Sequence, residues 1–159
     1  MNSTSDLSEY SVPQRDRLAF IELLLYFMGE LRRSDIVSRF GIQSAAATRD
    51  LAIYKKLAPS NIEYDTKEKT YVLGQAFKPL FQFSPERVLS WITQSFGDGE
   101  PAQLKSWLAT DTPARLTQPA LDTLSVVTRA IHQHSVLSMH YHSLSSGLTQ
   151  REIVPFALI

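Results

Sequence analysis

GIQSAAATRDLAIYKKLAP, residues Gly41–Pro59, decides how this chain folds. From about Ser44 to Leu57, Ala47, Leu51 and Tyr54 recur at spacings of four and three, the apolar face of a helix, and Pro59 lies beyond its end. The other face carries Ser44, Ala45, Thr48, Arg49, Lys55 and Lys56. A core helix would be bulkier, and a solvated helix would be expected to contain Glu, which is absent here. A face that is slender toward its N-terminus and basic toward its C-terminus suits close approach to another surface.

Upstream, Leu18, Ile21, Leu24, Leu25 and Met28 predict a helix from Gln14 to Met28, with Arg15, Asp16, Arg17 and Glu22 placed mainly away from its apolar stripe. Gly29 ends it. Ser34 as N-cap and Asp35 as a first-turn acid start a short helix through about Phe40, closed by Gly41. Downstream, Ile62, Tyr64, Tyr71 and Leu73 alternate with polar residues around Asp65 to Lys69, the pattern of a β-hairpin with a charged tip. Three helices followed by a hairpin make a winged helix-turn-helix.

In such a unit the second helix of the pair enters the major groove, about 12 Å wide, so its outward face must be slim where it meets bases and basic where it meets phosphates. Ser44, Ala45 and Thr48 are small, Arg49 is a long donor able to fork onto a guanine, and Lys55 and Lys56 fall beside the backbone. Arg33 belongs to the same basic cluster, and Lys67 and Lys69 at the hairpin tip add a second phosphate-facing point. Double-stranded DNA is the expected partner, through Arg33, Ser44, Ala45, Thr48, Arg49, Lys55, Lys56, Lys67 and Lys69. The competing readings are a winged helix that docks another protein and a nucleotide-sensing domain that binds no DNA.

The whole chain, 159 residues with 16 Lys plus Arg against 16 Asp plus Glu, is neutral, so affinity for nucleic acid must come from local clustering. No cysteine is present, which excludes disulfides and thiolate chemistry and fits a reducing cytoplasm. The stretch MNSTSDLSEYSVP is polar without an apolar h-region and no run is long enough for a membrane span, so a cytosolic protein with a short disordered lead-in is expected. Neither a nucleophile elbow nor a Walker loop nor a zincin motif is found, so no enzyme activity is expected. His132, His134, His140 and His142 invite a metal, but no Cys or close carboxylate pair accompanies them, and for His140 and His142, on one face of a strand beside Tyr141, lining a polar sheet face is the better reading. No metal or cofactor is expected.

Phe77 to Phe83, with Pro79, reads as a packed connector; Ser84 and Pro85 then start a helix containing Val88, Leu89, Trp91, Ile92 and Phe96, stopped at Gly97. A short helix over Ala102 to Leu108 follows. Trp91 and Trp107 are candidate partner anchors, and the connector a candidate dimer contact. Pro119 opens a helix with the stripe Leu121, Leu124, Val127 and Ile131, ending near His134. Strands over Val136 to Tyr141 and Glu152 to Ile159 are joined by the turn SLSSGLTQ. Two strands do not close a sheet, so a longer protein or a partner chain is expected to complete it.

Phe40, Gly41, Ile42, Asp50, Leu51, Tyr54, Leu57, Ala58, Pro59, Asn61, Tyr64, Asp65, Lys69, Tyr71, Phe77 and Pro79 form a spaced pattern. It resembles the N-terminal winged helix of WYL-domain transcriptional regulators, of the group associated with bacterial phage-defence (BREX/CBASS-type) operons. The helix from Pro119, then SVLSMHYHS and QREIVPFALI, is similar to the opening of a WYL domain, with Tyr141, Arg151 and Pro155 at positions typical of its first strands. The Trp-Tyr-Leu strand and the C-terminal dimerisation domain usual in that family are not found among these residues, so by the resemblance the chain is expected to be truncated within the WYL domain. Gln43 stands where relatives commonly carry a Ser or Thr N-cap.

The resemblance implies an α+β protein: a lead-in (1–12), a winged helix-turn-helix (13–78), a helical connector (79–117) and the start of a WYL, Sm-like β domain (118–159). It further implies a homodimeric, cytoplasmic regulator, usually a repressor, that binds an inverted-repeat operator and is released by a nucleotide or nucleic-acid effector. By the same resemblance Tyr141 would stack a base and Arg151 meet a phosphate.

Overall fold

The computed structural model describes residues 7–93, 119–145 and 147–158. The chain divides into two compact units, Met1–Gln82 with Ser125–Ile159, and Phe83–Leu124. Residues 1–6 of the expected lead-in, and the expected helix over Ala102 to Leu108 with Trp107, lie outside the described residues. Leu7–Glu9 form a single 3-10 turn.

Helix α1, Val12–Met28, begins two residues earlier than the periodicity suggests, because Pro13 in its first turn has the φ a helix needs and no N–H to satisfy. Leu18 and the whole run Phe20–Phe27 are buried, so α1 is wrapped on all sides rather than along one stripe. Gly29, at φ 83°, closes it by donating its N–H to the carbonyls of Leu24 and Leu25. Directly after it, Glu30–Leu31 form β1, a strand too short for any sequence pattern.

Helix α2, Arg33–Phe40, has Arg32 at its N-cap position instead of Ser34. Ser34 lies inside the helix because the Asp35 carboxylate holds the Arg32 N–H at 2.6 Å, fixing the start one residue before the serine. Gly41 at φ 61° ends α2, and α3 spans Ser44–Leu57. The hairpin has the expected strands, β2 over Ile62–Asp65 and β3 over Thr70–Leu73, paired with Tyr64 opposite Tyr71 and Asp65 opposite Thr70. β1 adds to the far edge of β3, giving an antiparallel sheet in the order β1-β3-β2. Thr70 Oγ1 reinforces that edge by donating to the Leu31 carbonyl.

A buried polar chain ties these elements together. Glu22, fully buried and not on a polar face of α1, accepts from Tyr54 Oη at 2.8 Å and from the N–H groups of Leu80 and Phe81 at 2.9 and 2.8 Å. Tyr54 Oη in turn accepts from Asn61 Nδ2, and Asn61 pairs with both backbone groups of Lys78. The irregular segment after the hairpin has no strand to bond to, and these side chains supply its partners. Burial pushes the Glu22 carboxyl above its ordinary value, opposed by the three hydrogen bonds. Burial and the neighbouring Glu22 push the Tyr54 phenol up, keeping it a donor. Gly74 is required here because a Cβ would meet the Ser60 carbonyl oxygen at 2.0 Å.

Helix α4, Pro85–Thr93, starts as the sequence implies, with Ser84 Oγ accepting from the Arg87 N–H. Within this unit the Phe83 ring meets Trp91 edge-on at 6.3 Å, and the Arg87 guanidinium lies 5.1 Å from the Trp91 ring centre.

Helix α5, Leu121–His132, starts after Pro119 because the Ala120 carbonyl accepts the first helical bond, and His134 at φ 51° ends the chain's helical course. Its buried side chains are Leu124, Ser125, Thr128 and Ala130, whereas Leu121, Val127 and Ile131 are half-buried. Arg129 donates to the Tyr26 carbonyl at 2.6 Å, Gln133 to that of Met28, and His132 meets Glu30 at 3.2 Å. The end of α5 thereby packs on the last turn of α1, and a Cβ on Gly29 would meet Gln133 Nε2 at 2.5 Å.

Strands β4, Leu137–Ser143, and β5, Gly147–Ile153, form a separate antiparallel ribbon. The turn expected over eight residues is shorter, since Ser143 already pairs with Gly147. Gly147 at φ 69° lets the chain reverse that early. The second strand ends at Ile153 instead of reaching Ile159, because Pro155 lacks the N–H that a ladder needs.

Candidate nucleic-acid interface

Helix α3 turns two different faces to its surroundings. Ala47, Asp50, Leu51 and Tyr54 are buried, and Ser44, Ala45, Thr48, Arg49, Lys55 and Lys56 are exposed. Spacings of three and four put each set on its own side. Asp50 counts in the sequence as an acid that offsets the basic cluster. It is instead 1% exposed, bound by Arg17 of α1 at 2.6 Å through Nε and by Gln14 at 3.2 Å. Its charge is answered from within, so the outward face of α3 carries only cations and small groups.

At the start of α3, Gln43 occupies the N-cap position without a capping side-chain bond. Thr48 Oγ1 donates to the Ser44 carbonyl at 2.9 Å, and Arg33 Nη1 of α2 donates to Thr48 Oγ1 at 3.3 Å. Arg33, Ser44 and Thr48 are thus brought together, with Ala45 and Arg49 on the same outward side. Lys55 and Lys56 occupy the last turn, where cations complement the helix dipole.

Lys67 and Lys69 are exposed at the hairpin tip. Asp65 Oδ1 accepts from the N–H groups of Lys67 and Glu68, at 2.8 and 3.1 Å, which shapes the tip into a defined turn. Lys69 adopts φ 53°, a conformation rare outside glycine and asparagine. On the ribbon, Tyr141 and Arg151 share one face, and the guanidinium lies 4.3 Å from the ring centre. His140 and His142 alternate with Tyr141 on β4. Among the described residues no three His, Cys, Asp or Glu side chains group as a metal site. Among them, too, no helix is long and apolar enough to cross a membrane.

The Arg17–Asp50 pair was invisible in the sequence because nothing in the spacing of residues 33 apart joins them. Only burial at the i+3 position from Ala47 hints that Asp50 faces inward.

The family model for the BrxR transcriptional regulator winged helix-turn-helix domain matches residues 13–94. The chain belongs to this family. As a BrxR-type winged helix it is also similar to curated proteins named DNA-binding transcriptional repressor CapW. The protein from Escherichia coli (strain KTE188) is 31% identical over 153 residues, covering 92% of this chain and 51% of the relative. Those from Pseudomonas aeruginosa and Stenotrophomonas maltophilia are 32% and 30% identical, covering 92% and 91% of this chain and 51% and 50% of each relative. The chain spans about half the length of the curated relatives it matches.

Proposed function

We propose that this BrxR-type winged helix binds double-stranded DNA as the reading head of a transcriptional repressor, with α3 in the major groove and the hairpin tip against the phosphate backbone. One observation carries the reading: the outward face of α3 is purely small and basic, with Asp50 withdrawn onto Arg17, in a chain of zero formal net charge. Ser44, Ala45 and Thr48 leave room for base edges, Arg49 forks onto a guanine, and Arg33, Lys55, Lys56, Lys67 and Lys69 meet phosphates. The names of the CapW relatives support it.

In this reading 13–78 is the DNA-binding domain, 79–117 a helical connector and 118–159 the start of a WYL-type domain. The protein acts in the cytoplasm as a homodimer on an inverted repeat in a phage-defence operon, with half-sites about 34 Å apart or a multiple of that. A nucleotide or nucleic-acid effector meets the ribbon, where the ring and guanidinium of Tyr141 and Arg151 offer stacking and a phosphate contact. No catalytic step is involved.

The test is a gel shift on DNA from upstream of its own gene, at two salt concentrations and with random competitor, alongside the mass in solution. Five phosphate contacts per protomer, ten per dimer, predict a slope of log affinity against log salt of about −9 for the dimer, against about −4 to −5 for a single protomer. Binding that ignores salt would sink the reading in favour of a protein-docking module.

A further inference from the structure

Thr48 is exposed on the outward side of α3, yet its hydroxyl is engaged at both ends. Oγ1 donates to the Ser44 carbonyl one turn back at 2.9 Å and accepts from Arg33 Nη1 at 3.3 Å. A threonine hydroxyl has a single proton, and back-bonding to the carbonyl four residues earlier uses it. No donor is left for a base edge. Of the oxygen's two lone pairs Arg33 takes one, and beside the other the γ-methyl is the group through which Thr48 can meet DNA. The feature that complements a methyl in the major groove is the C5-methyl of thymine.

We propose that Thr48 specifies a thymine in each half-site through methyl-to-methyl contact, while its hydroxyl positions Arg33 instead of reading a base. This rests on the DNA-binding reading above and adds a base identity to it. Arg33 also gains a role, since a guanidinium tethered to α3 through one N–H keeps four others for phosphate oxygens. Thr48 therefore acts on two levels, as a specificity residue through its carbon and as a positioning residue through its oxygen.

Two variants separate the methyl from the hydroxyl. Thr48→Val keeps a methyl in the same branched shape and loses the oxygen; Thr48→Ser keeps the oxygen and loses the methyl. The probe is the duplex that the whole chain selects from a randomised pool, with each thymine replaced in turn by deoxyuridine, which lacks only the C5-methyl. Burial of one methyl predicts that the wild type loses about fourfold per half-site at one symmetry-related thymine. Thr48→Val should show the same loss at that position, with a uniform, sequence-independent drop from the released Arg33. Thr48→Ser should be indifferent to the replacement.

Indifference of the wild type at every thymine would mean that no thymine methyl is read, and loss of the sequence preference in Thr48→Val with its retention in Thr48→Ser would mean that the oxygen reads the base; either result overturns the proposal. Failure to select any sequence from the pool would instead overturn the DNA-binding reading, and this proposal with it. Unchanged melting of both variants, expected for an exposed site, ties the result to recognition.

Discussion

Along α3, Ala47, Asp50, Leu51 and Tyr54 turn inward and are buried, whereas Ser44, Ala45, Thr48, Arg49, Lys55 and Lys56 on the opposite side are exposed. Inward, each polar group has an assigned partner: Asp50 has Arg17 and Gln14, and Tyr54 has Glu22 and Asn61. Outward, the polar groups are cations, or hydroxyls near the helix start. One helix therefore separates two tasks by rotation about its axis, and substitutions on the two sides should have different signatures. Inward changes should cost stability and leave base preference alone; outward changes should do the reverse.

The largest effect is expected at the inward anchor. Glu22→Ala removes the acceptor for Tyr54 Oη and for the N–H groups of Leu80 and Phe81, leaving three donors without it. At about 1 to 3 kcal/mol for each buried group left unmet, partly relieved by water, a loss of about 3 to 5 kcal/mol is expected in urea unfolding. The carboxyl also sets a pH dependence. Its folded pKa lies above the ordinary value of 4.5, so the folded state binds its proton more tightly than the unfolded chain does. The stability it contributes is fully present below 4.5 and is lost as pH rises through the folded pKa. Measured against Glu22→Gln, the wild type should gain relative stability on acidification from neutral pH; a gain in the opposite direction would mean that the hydrogen bonds outweigh burial.

On the outward side, Arg49→Ala should weaken binding to the preferred sequence by about 1 to 3 kcal/mol and relax preference at one base pair. Melting should move little, because Arg49 is exposed. Equal loss on random DNA would assign Arg49 to the phosphates and leave base reading to its neighbours.

Asp50→Asn tests whether the two faces are independent. It keeps the shape and one acceptor for Arg17 but removes the charge at a site where Arg17 is itself 18% exposed, so about 1 kcal/mol of stability is expected to go. Base preference should be unchanged. A shift in preference would show that the Arg17 tether sets the angle at which α3 meets DNA, and the separation of faces would fail.

The division between what could and could not be read in the sequence has the same physical origin. The bounds of α3 and the hairpin pairing follow from local periodicity, from Pro59 and from the charged tip, all within a few residues of one another. Glu22 looked like a surface acid because its N–H donors lie 58 and 59 residues away in a segment without regular structure. Asp50 looked like a counter-charge for the basic face because its partner is on another helix. β1 is two residues long and exists only because β3 offers an edge. Of the expected interface, the grouping of Ser44, Ala45, Thr48 and Arg49 came from helical spacing alone, while the link from Arg33 to Thr48 needed the packing of α2 on α3.

The smallest effect is expected at the hairpin tip, where Lys67→Ala removes one exposed cation and leaves the turn intact, since the turn is shaped by the Lys67 and Glu68 backbone N–H groups on Asp65. One phosphate contact fewer per protomer lowers the slope of log affinity against log salt by about 0.9 in magnitude for each protomer bound, about 1.8 for a dimer. The loss should be the same on the preferred sequence and on random DNA, because a contact to the backbone carries no base information. It should also vanish as salt is raised, because the counterion released by that contact then gains little on entering solution. Titrations of wild type and variant at four salt concentrations on both DNAs give two pairs of lines. Parallel lines for wild type and variant would remove Lys67 from the phosphate contacts and leave Lys69 as the tip's contact. Lines that differ on the preferred sequence only would give the tip a share in reading bases, and the contrast between a reading helix and a phosphate-meeting wing would have to be redrawn.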